Sequence, residues 1–386
     1  MRTRILGVGG FMIGLFAAAA PWFGKSGSAP QMSGAVVNAS NYPSLQAAVD
    51  ALPDEGGIVF VPPATYDLSS PLRITKGDVT IVGAGTSTHI RNKNEQGKPA
   101  IVIEPEEYSG NRRARIWRVE LSELRLTGNP RSGPGILANG VNELFLHDMT
   151  ISYHGGDGIR MVDCYEDPRV ADCLITYNKG AGLRIVRGHD IVVSANHFEE
   201  NLDAVQCIDS FNLCMTGNNL DDHLRHGVVI ENTYGSIVSA NMIEECQGAA
   251  IVLDRDCYGI TISANVIAHE MGGGVLLLDA HGCAVTGNTF TIVKKQALFI
   301  GPNSGRITVT GNNFSNSYIG HGQQKRAFGD REASGLILEG TRDVVVSGNV
   351  FSGLTTEAIE MRNVAPDAVV IEANVIVDCA GSAERP

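Results

Sequence analysis

Aromatic side chains are scarce in this chain of 386 residues: they make up 6 % of it, whereas glycine alone contributes 45 residues. A globular core usually depends on bulky rings, so this shortage favours aliphatic layers joined by tight turns. Disorder is excluded by the composition, because 43 % of the residues are hydrophobic and 19 % are charged. The sequence therefore predicts an ordered protein with a large buried core.

An excess of positive charge is also lacking. The formal net charge is −12 at pH 7. A general nucleic-acid binder needs a basic field that displaces counterions, so we expect no nucleic-acid partner. An anionic ligand would have to be bound through a local basic patch.

Cysteine motifs for metal binding or redox chemistry are missing as well. The eight cysteines form no CxxC pair and no zinc-finger spacing. Several of them fall within apolar strand patterns, so we interpret them as buried thiols that pack as small hydrophobic side chains rather than as disulfides. We predict no metal site and no resident cofactor from them.

Long apolar runs are absent except at the N-terminus. Arg2 and Arg4 precede an apolar stretch from Ile5 to about Phe23, which small and polar residues follow. This pattern is typical of a secretory signal peptide, or of an N-terminal membrane anchor if cleavage fails. We therefore predict that residues 1–30 direct a secreted or periplasmic protein, which contacts a membrane only if this segment is retained.

What the chain has in abundance is internal repetition, carried by the segments SANHF, TGNNL, SANMI, SANVI, TGNTF, TGNNF, SGNVF and EANVI. Apolar residues lie three positions before and two positions after each asparagine, and this period-two spacing is typical of strands. A small residue followed by a short apolar strand, such as GIRMV or GVVIE, precedes each segment. The asparagines are Asn196, Asn218, Asn241, Asn265, Asn288, Asn312, Asn349 and Asn374.

This repeat predicts the fold. A unit so short cannot bury its own apolar side, so it must stack on its neighbours. Three strands per coil, stacked in parallel, give an all-β, single-stranded, right-handed parallel β-helix of about a dozen coils over residues 41–380. We expect each asparagine to occupy a sharp turn in a left-handed backbone conformation and to hydrogen-bond along the axis. Met149 and Cys173 take this position in earlier coils, so the ladder is expected to be incomplete there.

The beginning of this region resembles the pectate-lyase-like superfamily. The segment YPSLQAAVDALPDEGGIVFVPPATYDLSSPLRI carries an amphipathic pattern at Leu45, Ala48, Val49 and Leu52, then a Gly-Gly turn and a Pro-x-x-x-Tyr motif ending at Tyr66. A helix with this pattern caps the open end of the β-helix in that superfamily, so the resemblance implies an N-terminal capping helix. It also implies a carbohydrate-active β-helix repeat protein, although hydrolases, lyases, epimerases and non-enzymes share the scaffold.

The window DDHLRHGVVIEN, residues 221–232, concentrates acids, bases and imidazoles around one short strand. Alignment of the strands that follow each small residue places Arg160, Arg184 and Gln206 in one outward-facing column. The next outward column contains Glu231 and Asp254 on adjacent coils. Strand spacing puts their carboxyl groups about 5 Å apart. At this distance the repulsion between two negative charges makes ionisation of both groups unfavourable.

Two acids at this separation, one protonated and one ionised, are the equipment of a retaining glycosidase. We therefore predict an enzyme that binds a polysaccharide along one face and cleaves its glycosidic bonds, with Glu231, Asp254 and His226 as catalytic residues. The residues predicted to bind the substrate are Arg160, Arg184, Gln206, Asp209, Asp222, His223, Arg225 and Arg255.

Purely structural roles compete with this interpretation. Arg255 would neutralise the acid pair without any catalysis, and Arg160 and Arg184 would pair with Asp157. An outward carboxylate on a β-helix is most often only solvated.

A uronate polysaccharide lyase or C5-epimerase is an alternative, because such enzymes use a base and a cation that neutralises the substrate carboxylate. His226 or His154 would be the base, and an arginine such as Arg225 the cation. YHGGDG and RHG resemble epimerase motifs, but the Asp-Pro-His arrangement of that family is missing. A lyase would make calcium a possible cofactor, for which Asp221 and Asp222 alone are too few ligands.

A protein without catalytic activity, which binds glycan or serves as a structural repeat, is the alternative from another class. The expected partner in the first two cases is a polysaccharide substrate. A monomer and a homotrimer both agree with the sequence.

Overall fold

The computed structural model describes residues 34–316 and 332–381 of the chain. The predicted signal peptide or anchor over residues 1–30 lies outside these ranges. Within them, no helix combines the length and the apolar character needed to cross a membrane. The described chain winds from Ala35 to Val377 as a right-handed parallel β-helix, which confirms the predicted fold.

Two parallel sheets form the walls of this β-helix. The smaller, here called sheet 2, has twelve strands in the described part of the chain and contains the strands that follow each small residue. Its strands are Leu72–Ile74, Ile101–Ile103, Ile136–Asn139, Ile159–Val162, Leu183–Val186, Val205–Ile208, Val228–Glu231, Ala249–Asp254, Gly273–Leu277, Leu298–Ile300, Leu336–Glu339 and Ile359–Arg362.

The larger sheet, here called sheet 1, contributes the two other strands of each coil and bends at the asparagine turn between them. Its strands are Ala35–Asn38, Gly57–Phe60, Ala64–Leu68, Val79–Val82, Thr88–Asn92, Ile116–Thr127, Val141–Ser152, Arg169–Ala171, Leu174–Thr176, Val192–Ser194, His197–Glu199, Cys214–Thr216, Asn219–Asp221, Ile237–Ser239, Met242–Glu244, Cys257–Tyr258, Thr261–Ser263, Val266–Ala268, Ala280–His281, Ala284–Thr286, Thr289–Thr291, Gly305–Thr310, Asn313–Ser315, Arg342–Ser347, Val350–Ser352, Val369–Glu372 and Val375–Val377.

The core lies inside the coils and is mostly aliphatic, as the shortage of rings predicts. In the strand Ile159–Val162, Ile159 and Met161 point inward and are fully buried, whereas the residues between and after them are partly exposed. The few interior rings stack on one another: the ring centroids of Phe290, Phe314 and Phe351 are 4.6 and 4.7 Å apart. Identical side chains in register thus fill the same layer of successive coils.

A short helix, Leu45–Asp50, closes the N-terminal end, as the resemblance implies. The hydroxyl of Ser44 accepts a hydrogen bond from the Ala47 N–H and so caps the first turn. Leu45 and Val49 join the buried core. Two single 3-10 turns, Ala39–Asn41 and Glu106–Ser109, are the remaining helical segments in the described ranges.

The asparagine ladder is confirmed. Each Nδ2 from Asn196 to Asn349 donates to the Oδ1 of the next asparagine at 2.9–3.0 Å. The prediction that the asparagine itself is left-handed is wrong, because the residue before it takes that conformation: φ is 56° at Ala195 and 66° at Gly217. This leaves the asparagine side chain free to point inward, where its amide replaces the hydrogen bonds that the turn interrupts.

The ladder is incomplete at Cys173, as predicted, and its side-chain bonds begin at Asn196. The backbone N–H of Cys173 donates to Asn196 Oδ1 at 3.0 Å, while its thiol is buried in the core. Seven of the eight cysteines, all of which lie in the described ranges, are buried, as the interpretation as small hydrophobic side chains requires.

Candidate functional site

The strand register of sheet 2 is the one that the repeat predicts. Arg184 pairs with Arg160 on one side and with Gln206 on the other. Glu231 pairs directly with Asp254 in the next outward column. The acids that are 23 positions apart in sequence therefore lie on adjacent strands, about 4.8 Å apart.

The acid pair belongs to a cluster at the C-terminal ends of the sheet 2 strands, here called the acid edge and formed by Asp209, Glu231, Asp254 and Arg255. Arg255 Nη1 donates to Glu231 Oε2 at 2.7 Å, and Nη2 reaches Asp209 Oδ1 at 3.5 Å. The backbone N–H of Arg255 donates to Asp254 Oδ1 at 2.8 Å. The ion pair between Arg255 and Glu231 that a structural role requires is therefore present.

Arg160 and Arg184 lie near the N-terminal ends of sheet 2 strands, at the opposite edge of the sheet, on the two coils before the strand that leads to Asp209. The buried carboxylate of Asp157 accepts from Arg160 Nε at 2.7 Å, from Arg184 Nε at 3.0 Å and from the Ala181 N–H at 2.9 Å. The structural role considered for these arginines is therefore present. Both guanidinium groups remain partly exposed, so one buried acid holds two cations at the surface in fixed orientations.

Asp203 repeats this arrangement two coils further on and has no exposed surface. It accepts from Arg225, Gln206 and the His226 N–H. Burial raises the pKa of Asp203, but these hydrogen bonds, that of Arg225 foremost, outweigh burial and hold the pKa below its ordinary value. Gln206 is almost fully buried and is bonded to Asp203, so it serves to hold this carboxylate rather than to present an open amide.

His226 lies beside Asp203 and is half-buried. Burial lowers its pKa, so its ring is neutral at pH 7. Its Nδ1 accepts the Ala249 N–H at 2.9 Å, so the ring proton is on Nε2. His226 is therefore placed to donate a hydrogen bond, because the lone pair that a base would use is already engaged.

His223, predicted to position a sugar, lies inside the β-helix with no exposed surface. This correction has a simple cause: Asp222 is left-handed (φ 54°), and the residue after such a turn points inward, as it does in the asparagine ladder. His154, the other base considered, occupies the same kind of position and is also fully buried. Burial lowers the pKa of both imidazoles to about 4, so both are neutral core residues.

An acidic surface that the sequence interpretation missed lies on the neighbouring strands of sheet 1. Glu199, Asp221 and Glu244 are in register on three consecutive coils. Burial, Glu244 and the neighbouring acids raise the pKa of Asp221 to about 6. Carboxylate oxygens of Asp221, Asp222 and Glu245 lie within 4.8 Å of one another, a donor set that suits a hard cation. The doublets EE, DD and EE at 199, 221 and 244 recur at the repeat spacing and are the signal for this surface.

Asp222 therefore faces this acidic surface, beyond the corner from which the Glu231 strand starts. The window DDHLRHGVVIEN is not one cluster. Asp221 ends a strand of sheet 1, Asp222 follows it, and His223 points into the core. Arg225 and His226 precede the next strand, Val228–Glu231, which Glu231 ends.

Comparison with known proteins places the fold. The model of the right-handed β-helix region family matches residues 134–290 and 255–383. The A-module of the mannuronan C-5 epimerase AlgE6 from Azotobacter vinelandii superposes with a TM-score of 0.65 at 15 % identity, covering 88 % of this chain and 99 % of that one. A DFA-IIIase from Arthrobacter chlorophenolicus A6 gives 0.57 at 13 %, covering 88 % and 98 %.

The catalytic domain of Agl-KA gives a TM-score of 0.56 at 13 % identity, covering 91 % of this chain and 69 % of that one. At such identities the likeness concerns the fold. No curated protein matches the chain.

Proposed function

We propose that this chain, which belongs to the right-handed β-helix family, is an exported protein that binds a polysaccharide along the face formed by sheet 2 and cleaves its glycosidic bonds at the acid edge. The observation that carries the proposal is the stacking of Glu231 on Asp254, in register and facing outward. The superposed structures include proteins named as carbohydrate-active enzymes, which supports the substrate class.

The two acids differ in their surroundings, and this difference suggests their roles. Glu231 is bonded to the Arg255 guanidinium and is the nucleophile, which attacks the anomeric carbon as an ionised carboxylate. The carboxyl of Asp254 accepts only the backbone N–H of Arg255 among the described residues, so it is the acid that protonates the leaving oxygen. Water then hydrolyses the glycosyl–enzyme bond, with Asp254 as the base.

The spacing supports a retaining outcome. Adjacent parallel strands lie about 4.8 Å apart, close to the separation of roughly 5 Å that a covalent glycosyl intermediate requires. The arginines at the opposite edge of sheet 2, Arg160, Arg184 and Arg225, would hold hydroxyl or carboxylate groups of other sugar units in the chain. His226 would donate to the sugar through Nε2.

A uronate lyase or C5-epimerase is the second candidate, favoured by the three partly exposed guanidinium groups on one edge. Calcium would then be held by Asp221, Asp222 and Glu245, and it would supply positive charge near a substrate carboxylate. Neither predicted base is well placed for this chemistry, because His154 is fully buried and His226 Nδ1 already accepts the Ala249 N–H. We therefore place hydrolysis first.

The test replaces the two acids by their amides. We expect Glu231→Gln and Asp254→Asn each to lower turnover at least 100-fold on the substrate polymer while binding is retained. Glu339→Gln is the matched control, because Glu339 ends a later strand of sheet 2 and also pairs with an arginine, Arg362, at 3.6 Å. Reducing ends and near-ultraviolet absorbance are measured on a panel of acidic and neutral glycans.

The outcomes separate the candidates. New reducing ends without absorbance indicate hydrolysis, whereas an unsaturated product indicates a lyase. Wild-type turnover in both amide variants would remove the acid pair from the mechanism. Binding without any turnover would make the chain a glycan-binding module.

A further inference from the structure

Exposed rings line the corner at which the chain leaves sheet 2. Phe211, Tyr234, Tyr258 and His281 occupy paired positions on four consecutive coils and are here called the ring stripe. The side chains remain open to solvent: Phe211 is 43 % and Tyr258 48 % exposed. Such a concentration at the surface is unexpected in a chain with so few aromatic residues, since exposed rings carry a cost in solubility unless they bind something.

The stripe runs parallel to the axis of the β-helix. The ring centroids of Phe211 and Tyr234 are 5.3 Å apart, and His189 extends the stripe with a centroid 5.8 Å from Phe211. From Phe211 to His281 the stripe covers three coil steps, roughly 14 Å. A pyranose unit in an extended glycan is about as long as one coil step, so successive rings face successive sugars.

Hydrogen bonds join the ring stripe to the acid edge. Tyr234 Oη donates to Asn232 Oδ1 at 3.2 Å, and Asn232 Nδ2 donates to Asp209 Oδ1 at 2.9 Å. The same oxygen of Asp209 is approached by Arg255, which holds Glu231. A ligand that lies on the stripe therefore passes beside the acid pair at the coils of Tyr234 and Tyr258.

The far end of the stripe opens into a cavity of about 880 Å³. His281 lines it together with Asp279, Ser304 and Arg342, and polar groups dominate its walls. Arg306, another lining residue, has its guanidinium carbon 5.7 Å from the centroid of the Tyr258 ring. The volume is that of a small-molecule site and holds several sugar units.

We infer that the ring stripe and this cavity bind a glycan chain that runs parallel to the β-helix axis and lies along the acid edge. The inference deepens the proposed function and rests on it for the class of ligand. The C–H face of a pyranose is apolar and packs on the negative face of an aromatic ring, while its hydroxyl groups need polar partners at the rim. The stripe and cavity supply both the apolar ring faces and the polar partners, because rings alternate with amides, carboxylates and a guanidinium. A protein interface would instead concentrate apolar groups at its centre.

The test measures binding apart from turnover. Affinity electrophoresis in gels that contain alginate, pectin, inulin or a neutral α-glucan identifies a retained polymer, and calorimetry with its oligosaccharides gives Kd. We expect Phe211→Ala and Tyr258→Ala each to raise Kd at least fivefold. The matched controls are Tyr153→Ala and Tyr177→Ala, which remove an exposed, stacked pair of rings (centroids 5.0 Å apart) at the opposite edge of sheet 2 and should leave Kd at the wild-type value.

The outcomes keep this inference separate from the catalytic assignment. If Glu231→Gln retains turnover while Phe211→Ala loses affinity, the acid pair is wrong and the ring stripe stands. If Glu231→Gln abolishes turnover while both stripe variants bind as the wild type does, the stripe inference is overturned. Failure of the wild type to bind any polymer, or a dimer that Phe211→Ala dissociates, overturns it too. Circular dichroism checks each fold, and Tyr258→Ala carries the test alone if Phe211→Ala does not fold.

Discussion

Acidification from pH 7 to pH 4 should destabilise the protein through two imidazoles that no solvent reaches. His154 and His223 each occupy an interior corner position with no exposed surface. Asn178 and Asn201 hold the equivalent position on the two coils between them, and Asn178 Nδ2 donates to Asn201 Oδ1 at 2.9 Å. Replacement of both histidines by asparagine therefore removes the titrating imidazoles and introduces a side chain that already occupies the equivalent position on the neighbouring coils.

The magnitude follows from the lowered pKa. Burial lowers the pKa of both rings from 6.5 to about 4 in the folded protein. The unfolded chain binds protons first as the pH falls, so the full stability is present above pH 6.5 and is lost progressively toward pH 4. Each imidazole accounts for roughly 3 kcal/mol of unfolding free energy over this interval.

Urea unfolding followed by circular dichroism at pH 7, 5.5 and 4 measures this effect. We expect the fall in unfolding free energy to be smaller by several kcal/mol in the variant with His154→Asn and His223→Asn than in the wild type. His189→Asn is the control, since it makes the same replacement at a side chain that is 37 % exposed and removes no buried imidazole. Parallel pH profiles for the wild type and the double variant would refute the assignment of these imidazoles as neutral core groups.

Three further predictions concern the interior and the acidic surface. Burial raises the pKa of Glu270 well above its ordinary value. Folding therefore favours the protonated acid, and the stability of the protein falls as the pH rises above the ordinary pKa of a glutamate. Glu270→Gln should reduce this fall, which melting temperatures between pH 5 and 8 measure. Asn241→Ala should lower the unfolding free energy in urea by about 2–4 kcal/mol, because it leaves buried donors of the ladder unpaired. Asn374→Ala, at the more exposed end of the ladder, should lower it by less. Equal losses in the two variants would contradict the role of burial. Glu244→Gln should lower the pKa of Asp221 from about 6 toward its ordinary value in a carbon-13 NMR titration, and an unchanged midpoint would show that Glu244 does not contribute to the raised pKa.

The sequence was sufficient to predict the architecture because each coil repeats the last one. A fixed period specifies which residues become neighbours, so the pairing of Glu231 with Asp254 and of Arg160 with Arg184 could be read from spacing alone. Alternation within a strand also predicts which side chains face outward. Both arguments hold only where the chain is a strand.

The corners were not predictable in the same way. His223 was expected at the surface because it lies among charged residues, but a left-handed residue before it redirects its side chain into the core. The tautomer of His226 depends on the Ala249 N–H of the next coil, which no local pattern reveals. Side chains alternate between the inside and the outside along a strand, but a left-handed residue at a corner interrupts this alternation.

The asparagine ladder, which begins at Asn196, also sets how such a molecule changes length. Each rung accepts from the coil before it and donates to the coil after it, so every junction along the axis is chemically the same. An inserted coil of one whole period would form the same asparagine hydrogen bonds with the coil before it and the coil after it. An inserted fragment of a strand would shift the register and place another residue at the asparagine position. The length of the β-helix along its axis can therefore change, by natural variation or by design, only in whole coils.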